Sequence, residues 1–280
     1  MWRLSKVVAI FIVMFTGISA VHAALAISDY ATEVVSYQAG SNAAGGYTDP
    51  SVALGEPSRQ TAGWPSGNTD VTMFNAPWQT DQIVSIGAGG HLIVKFDHPV
   101  VDNPSDVNWG IDLLIFGNAC FTDSNYPNGV AGGIYAEPGK IAVSQDGTNW
   151  YEIPDVTADN LFPTQGFTDT SGPYAADGTT LSDFTKPVNP GIDWYGKTYA
   201  ELLALYDGSG GGTGVDISST GLEWIQYVKV YQDAGDSHST EIDAFADVVP
   251  EPATMCLLAL GSVVLLRRGR MENRKDKTNA

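Results

Sequence analysis

"KIAVSQDGTNWYEIP" (residues 140–154) reads as a β-hairpin. Ile141 and Val143 share one face, Asp146-Gly147 supplies a turn pair that accepts positive backbone angles, and Trp150 to Ile153 returns. The same period of two recurs on both sides of it. In "HLIVKF" (91–96), Leu92, Val94 and Phe96 alternate with His91, Ile93 and Lys95, which suits a strand with one buried face. "IDLLIF" (111–116) is apolar on both faces apart from Asp112, the pattern of a central strand. "LEWIQYVKVYQD" (222–233) places Leu222, Trp224, Val228 and Val230 on one face, with Ile225, Tyr227 and Tyr231 on the other. "STEIDAFADV" (239–248) sets Ile242 and Ala244 against Glu241, Asp243 and Phe245.

One helix is predicted in "KTYAELLALYDG" (197–208), with Leu202, Leu203 and Tyr206 as its apolar stripe and Gly208 as its stop. Long Gly/Asp/Pro/Ser/Thr stretches over 39–70, 122–140 and 154–191 separate these elements. They are too frequent for an α/β enzyme with tight loops. No repeat of fixed period and no linker-like shift in composition divides the body. The expected fold is all-β: one antiparallel β-sandwich domain with long loops and one short helix.

The ends of the chain differ from its body. "MWRLSK" is a short basic start, Val7 to Ala20 is almost wholly apolar, and Val21-His22-Ala23 offers small residues for cleavage after Ala23. That is the pattern of a secretory signal read by signal peptidase. At the other end, "VVPEPATMCLLALGSVVLLRRGR" (248–270) holds an apolar run from Ala253 to Leu266, 14 residues long, closed by Arg267 and Arg268. An ordinary membrane span needs about 18–20. The expected division is therefore a signal peptide over 1–23, a body over 24–249, a terminal segment over 250–270 and a tail over 271–280.

Only six of the 14 Lys and Arg residues lie between 24 and 252, against 30 of the 32 Asp and Glu, a net charge of −24 for the body. Such a surface repels nucleic acid and anionic headgroups. It suits divalent cations and neutral or cationic polymers. The two cysteines, Cys120 and Cys256, provide no disulfide framework, and Cys120 is expected to act as a small buried hydrophobe.

Catalytic and phosphate motifs fail on inspection. "GSGGGTG" (208–214) is not followed by Lys-Ser/Thr, and a calcium loop starting at Asp207 would put Ser218 where the bidentate glutamate belongs. His91, His98 and His238 stand in no metal-ligand spacing, and no G-x-S-x-G elbow occurs. With so many acids, a pair of carboxylates placed for glycoside hydrolysis stays open as an alternative. Oxygen ligands for Ca²⁺ are the other use of such loops. Asp49 sits in a turn near the start of the body, and Glu241 and Asp243 lie two apart on the last strand; they converge if the first and last strands are neighbours.

Pro250-Glu251-Pro252, the apolar run and the cluster of Arg267, Arg268 and Arg270 resemble the sorting signal of PEP-CTERM proteins, although "MENRKDKTNA" continues past the usual end. That resemblance implies a secreted protein of a Gram-negative bacterium that makes exopolysaccharide. Its short helix inserts transiently in the inner membrane with the arginines on the cytoplasmic side, and exosortase then processes the chain. The body is similar to bacterial cell-surface proteins that share strings such as "YTDPSVALGEP" and "STEIDAFADV". Its V-S-x-D-G-x-x-W-Y hairpin and acidic last strand also resemble galactose-binding-like jelly rolls of the discoidin type. By that resemblance Asp49, Glu241 and Asp243 would hold a structural Ca²⁺, and Trp150 and Trp194 would offer faces to sugars. The implied function is a non-enzymatic surface or matrix protein that associates with exopolysaccharide; the alternative is an extracellular glycan hydrolase.

Overall fold

The computed structural model describes residues 28–63, 67–105 and 107–249. The signal peptide, the apolar run, the tail, and the sorting residues Pro250, Glu251, Pro252, Arg267 and Arg268 lie outside the described residues. Among the described residues no helix is long and apolar enough to cross a membrane.

The first strands are β1 (Glu33–Gln38), β2 (Gln60–Ala62), β3 (Asn68–Asp70), β4 (Val84–Ile86) and β5 (His91–Val101). Then come β6 (Leu113–Gly117), β7 (Cys120–Asp123), β8 (Ala131–Tyr135), β9 (Lys140–Ser144) and β10 (Tyr151–Glu152). One helix, α1 (Tyr199–Tyr206), precedes β11 (Thr213–Val215), β12 (Trp224–Tyr231) and β13 (Thr240–Asp247). Five strands form an antiparallel sheet in the order β1-β5-β12-β9-β10, and four form another in the order β11-β6-β13-β4. The pairs β2-β3 and β7-β8 stand as small two-stranded sheets.

A single apolar core takes side chains from both large sheets. Leu92, Val94 and Phe96 of β5, Ile141 and Val143 of β9 and Val228 and Val230 of β12 pack in one cluster with Leu113 and Ile115 of β6 and Ile242 and Phe245 of β13. Full burial of each such side chain contributes about 1.5–3 kcal/mol, so this shared face is what holds the sheets together. A second cluster gathers Phe74, Phe121, Phe162, Tyr199, Leu202 and Tyr206 around α1 and the β7-β8 hairpin.

Three of the segments read from the sequence depart from simple alternation. The hairpin at 140–154 is present, but Tyr151 rather than Trp150 begins the return, opposite Val143. Its turn is wider than an Asp-Gly pair because the Asp146 carboxylate accepts hydrogen bonds from the backbone N–H groups of Thr148 and Asn149. In β12, pairing with β5 slips between Ile225, opposite Val100, and Tyr227, opposite Lys95. The slip changes phase, so Ile225 enters the core with Val228 and Val230 while Trp224 stays half-buried. In β13 the register shifts between Ile242 and Ala244. Both faces of that strand are buried: Ile242 and Phe245 in the shared core, Ala244, Ala246 and Val248 against Ile111, Leu114, Phe116 and Phe184 on the other side.

Phe184 belongs to the stretch 154–191, which covers the four-stranded sheet instead of hanging free. Arg59 anchors it by donating from Nη1 to the carbonyls of Gly166 (2.6 Å) and Ser182 (3.1 Å), with its guanidinium 4.1 Å from the centre of the Phe184 ring. Asp70 anchors it again, accepting from Thr170 Oγ1 and Gly178 N at 2.8 Å each. The stretch 122–140, expected as loop, contains β8. The predicted helix forms with Thr198 and Glu201 as a reciprocal cap, and it stops at Asp207, which takes the left-handed conformation one residue before Gly208.

Candidate functional site

The central strand β6 carries a group of carboxylates at each end. At its far end, one oxygen each from Glu137, Asp159 and Glu241 lies within 4.8 Å of the others. Antiparallel pairing between Gly139 and Ala158 brings the first two together across the chain, with Gly139 N donating to Ala158 O at 3.2 Å and Ala158 N to Gly139 O at 2.8 Å. Glu241 arrives on β13, opposite Ser85 of β4. The last residue of β6 must be small: a Cβ on Gly117 would stand 2.3 Å from Asp159 Oδ1 and 2.6 Å from the Glu241 carbonyl oxygen. Asp159 is 1% exposed and Glu241 4%.

Each of these two buried carboxylates uses one oxygen and leaves one. Asp159 Oδ1 accepts from Ala119 N at 2.7 Å; Glu241 Oε1 accepts from Ser85 Oγ and Ser239 Oγ, both at 2.9 Å. Asp159 Oδ2 and Glu241 Oε2 are buried without a hydrogen-bond partner, and so is Oδ1 of Asn118, which stands between Gly117 and Ala119. Burial pushes the Asp159 carboxyl up to about 7. Burial, reinforced by the Glu137 carboxylate, pushes Glu241 up to about 8. Among the described residues no Lys, Arg or His forms an ion pair with any of the three.

The near end of β6 is built differently. Asp112, Asp102 and Asp216 converge there, and burial raises Asp112 to about 7. Both oxygens of Asp112 are taken, Oδ1 by Asn103 N (2.5 Å) and Oδ2 by Ile217 N (2.9 Å).

Of the residues expected to hold a cation, the structure brings Glu241 into a carboxylate group but does not place Asp49 or Asp243 there. Asp243 is buried with Ser58, whose backbone N–H and hydroxyl donate to its two oxygens at 2.8 and 2.9 Å. The register shift at this point of β13 sends Glu241 and Asp243 to different neighbours although they lie two apart. Asp49 is exposed and accepts from Ser51 at the start of a short 3-10 turn. Those donors hold its pKa below the ordinary carboxylate range. Glu137 and Asp159 stand in no recognisable spacing with Glu241; only the long-range bridge at Gly139 unites them.

The two tryptophans expected to meet sugars are both half-buried. Trp150 sits at the end of the hairpin turn, and Trp194 stacks on Phe121 with ring centres 5.0 Å apart and planes 19° apart. The two most exposed aromatic rings among the described residues are neighbours of Trp194 and of Tyr174. Tyr195 lies 6.0 Å from Trp194, and Tyr126 lies 5.3 Å from Tyr174. Tyr126 is 75% exposed and Tyr195 66%. Backbone bonds from Gly196 N to Ala131 O and from Ala131 N to Lys197 O fix the Trp194-Tyr195 segment beside β8. A separate cleft of about 280 Å³ opens between residues 155–162, 187–190 and β11, with Asp155 as the one carboxylate among its described lining residues.

Val248 is buried and donates its N–H to Asp112 O at 2.9 Å, whereas Val249 is 40% exposed. Residues 248–270 match the family model of the PEP-CTERM protein-sorting motif. The chain carries an exosortase sorting signal. The PEP-CTERM motif makes this a secreted bacterial protein sorted to the cell surface, with exosortase as its processing partner. The match begins at Val248, the second-last of the described residues. No curated protein matches the chain.

Proposed function

We propose that this is a non-enzymatic surface or matrix protein: a jelly-roll sandwich of galactose-binding-like type that associates with extracellular polysaccharide on a Gram-negative cell, after transient anchoring in the inner membrane. The shared core of the two large sheets supports the sandwich, and the sorting motif supports the location. The observation that carries the glycan reading is a pair of exposed rings, Tyr126 and Tyr195, each set against a second ring, Tyr174 and Trp194 respectively. Aromatic faces stack on the C–H surfaces of sugars, and pairs of rings fixed by packing lose little freedom on doing so. The acidic body selects neutral or cationic chains over anionic ones.

A hydrolase needs two carboxylates that reach one glycosidic bond. Asp112, Asp159, Glu241 and Asp243, the carboxylates raised to about 7 or 8, are all buried away from substrate, and the open clefts offer Asp155 and Glu152, the latter accepting from the Tyr231 hydroxyl. The test is co-sedimentation of the full chain with exopolysaccharide from the producing cells, together with release of reducing ends. Binding without release that drops in the Tyr126→Ala/Tyr195→Ala double variant, at an unchanged melting temperature, supports the reading. Equal binding by that variant removes the aromatic surface from it, and steady release of reducing ends replaces it with the hydrolase.

A further inference from the structure

We infer that Glu137, Asp159 and Glu241 form a binding site for one calcium ion, pinning β13 and the far end of β6 to the segments on either side of the β9-β10 hairpin. Three features lead there independently of any glycan role. The first is distance: two oxygens bound to one Ca²⁺ at about 2.3–2.6 Å can be no more than about 5 Å apart, and all three carboxylates meet that limit. The second is the division of labour within each buried carboxylate. Ala119 N holds one oxygen of Asp159, and Ser85 and Ser239 hold one of Glu241, which orients both groups and leaves Oδ2 and Oε2 for the centre. Buried oxygens are almost always partnered, so two unpartnered ones in a single group call for a common ligand. The third is charge: three acids converge, and no basic side chain among the described residues pairs with them.

The donor set selects the ion. Every offered atom is a hard oxygen, and neither imidazole nor thiolate belongs to the group, which disfavours zinc and copper. Mg²⁺ keeps several of its waters, whereas Ca²⁺ is readily held by an all-protein oxygen set. With Asp159 and Glu241 almost sealed from solvent, calcium fits.

The alternative is that protons, shared between the carboxyl groups, replace the ion. Calorimetric titration of the full chain with CaCl₂ after dialysis against EDTA separates the two, with MgCl₂ as the comparison. The expected result is one Ca²⁺ per chain, a higher melting temperature in Ca²⁺ than in EDTA, and a much smaller response to Mg²⁺. Glu137→Gln, at a half-buried position, should weaken calcium by more than the roughly 10–100-fold typical of losing an outer partner; Asp159→Asn should do at least as much. Failure of the unsubstituted chain to bind, an equal response to Mg²⁺, or wild-type affinity in Glu137→Gln would each overturn the assignment. An Asp159→Asn chain that melts higher than wild type, with no calcium effect in either, would favour shared protons.

Discussion

Asp112 stands immediately before β6 and Asp159 packs against its last residue, Gly117, so the same strand has a buried acid at each end. At the Asp112 end, two backbone N–H groups satisfy both oxygens, and the same residue's carbonyl accepts from Val248 N. That carboxylate is a joint, complete as it stands. At the Asp159 end the protein's own donors go halfway and stop. Convergence of acids is common to both ends; what tells a joint from a ligand site is the count of oxygens left over.

Four substitutions press on that difference. Asp112→Ala should have the largest effect on stability. It strands the buried N–H of Ile217 and that of Asn103, at about 1–3 kcal/mol for each unsatisfied donor, and chemical denaturation should show the same loss in Ca²⁺ and in EDTA. Gly117→Ala should act at the other end. Its new Cβ must displace the Asp159 carboxylate, an overpacking cost of about 1–3 kcal/mol, and calcium binding followed by calorimetry should fall with it.

Asp243→Asn should be milder still, because an amide can accept from Ser58 N while donating to Ser58 Oγ. Burial raises Asp243 to about 7 against the donors of Ser58. The folded chain therefore keeps a proton that the unfolded chain gives up near pH 4. This contribution to stability is complete below about pH 4 and fades as pH rises through about 7. The variant cannot ionise, so its stability measured across that range should fall less steeply.

His98→Gln tests the smallest effect. The imidazole joins β5 to the end of β13, with 2.8 Å contacts to Asp97 and Asp247. Burial alone would lower its pKa, but these carboxylates outweigh it and raise it above 6.5. Its contribution is complete below that value and is lost as pH rises through the raised one. The melting temperatures of wild type and variant should differ at pH 6 and converge at pH 9.

Much of the β scaffold is legible in the order of residues. "HLIVKF" alternates as β5 does, "IDLLIF" is the doubly buried β6, and the Thr198-Glu201 cap begins the helix whose apolar stripe was visible. Alternation fails where a strand changes step. Nothing local marks the slip at Gln226, where a side-chain bond to Phe96 O holds the irregularity, or the one at Asp243. The second slip matters most for the site, because it separates Glu241 from the partner that simple alternation assigns to it. Glu137 and Asp159 were hidden for another reason: they reach Glu241 through a bridge between residues 19 positions apart, inside stretches that read as loop. The terminal sorting motif, by contrast, is linear and can be read without a fold.

A crystal grown from the full chain in CaCl₂ would address the two ends of β6 in a single map. The account predicts one ion, within ordinary calcium–oxygen distance of Glu137, Asp159 and Glu241, and none among Asp102, Asp112 and Asp216. An ion at the Asp112 end, or a map with no ion among Glu137, Asp159 and Glu241, would contradict it.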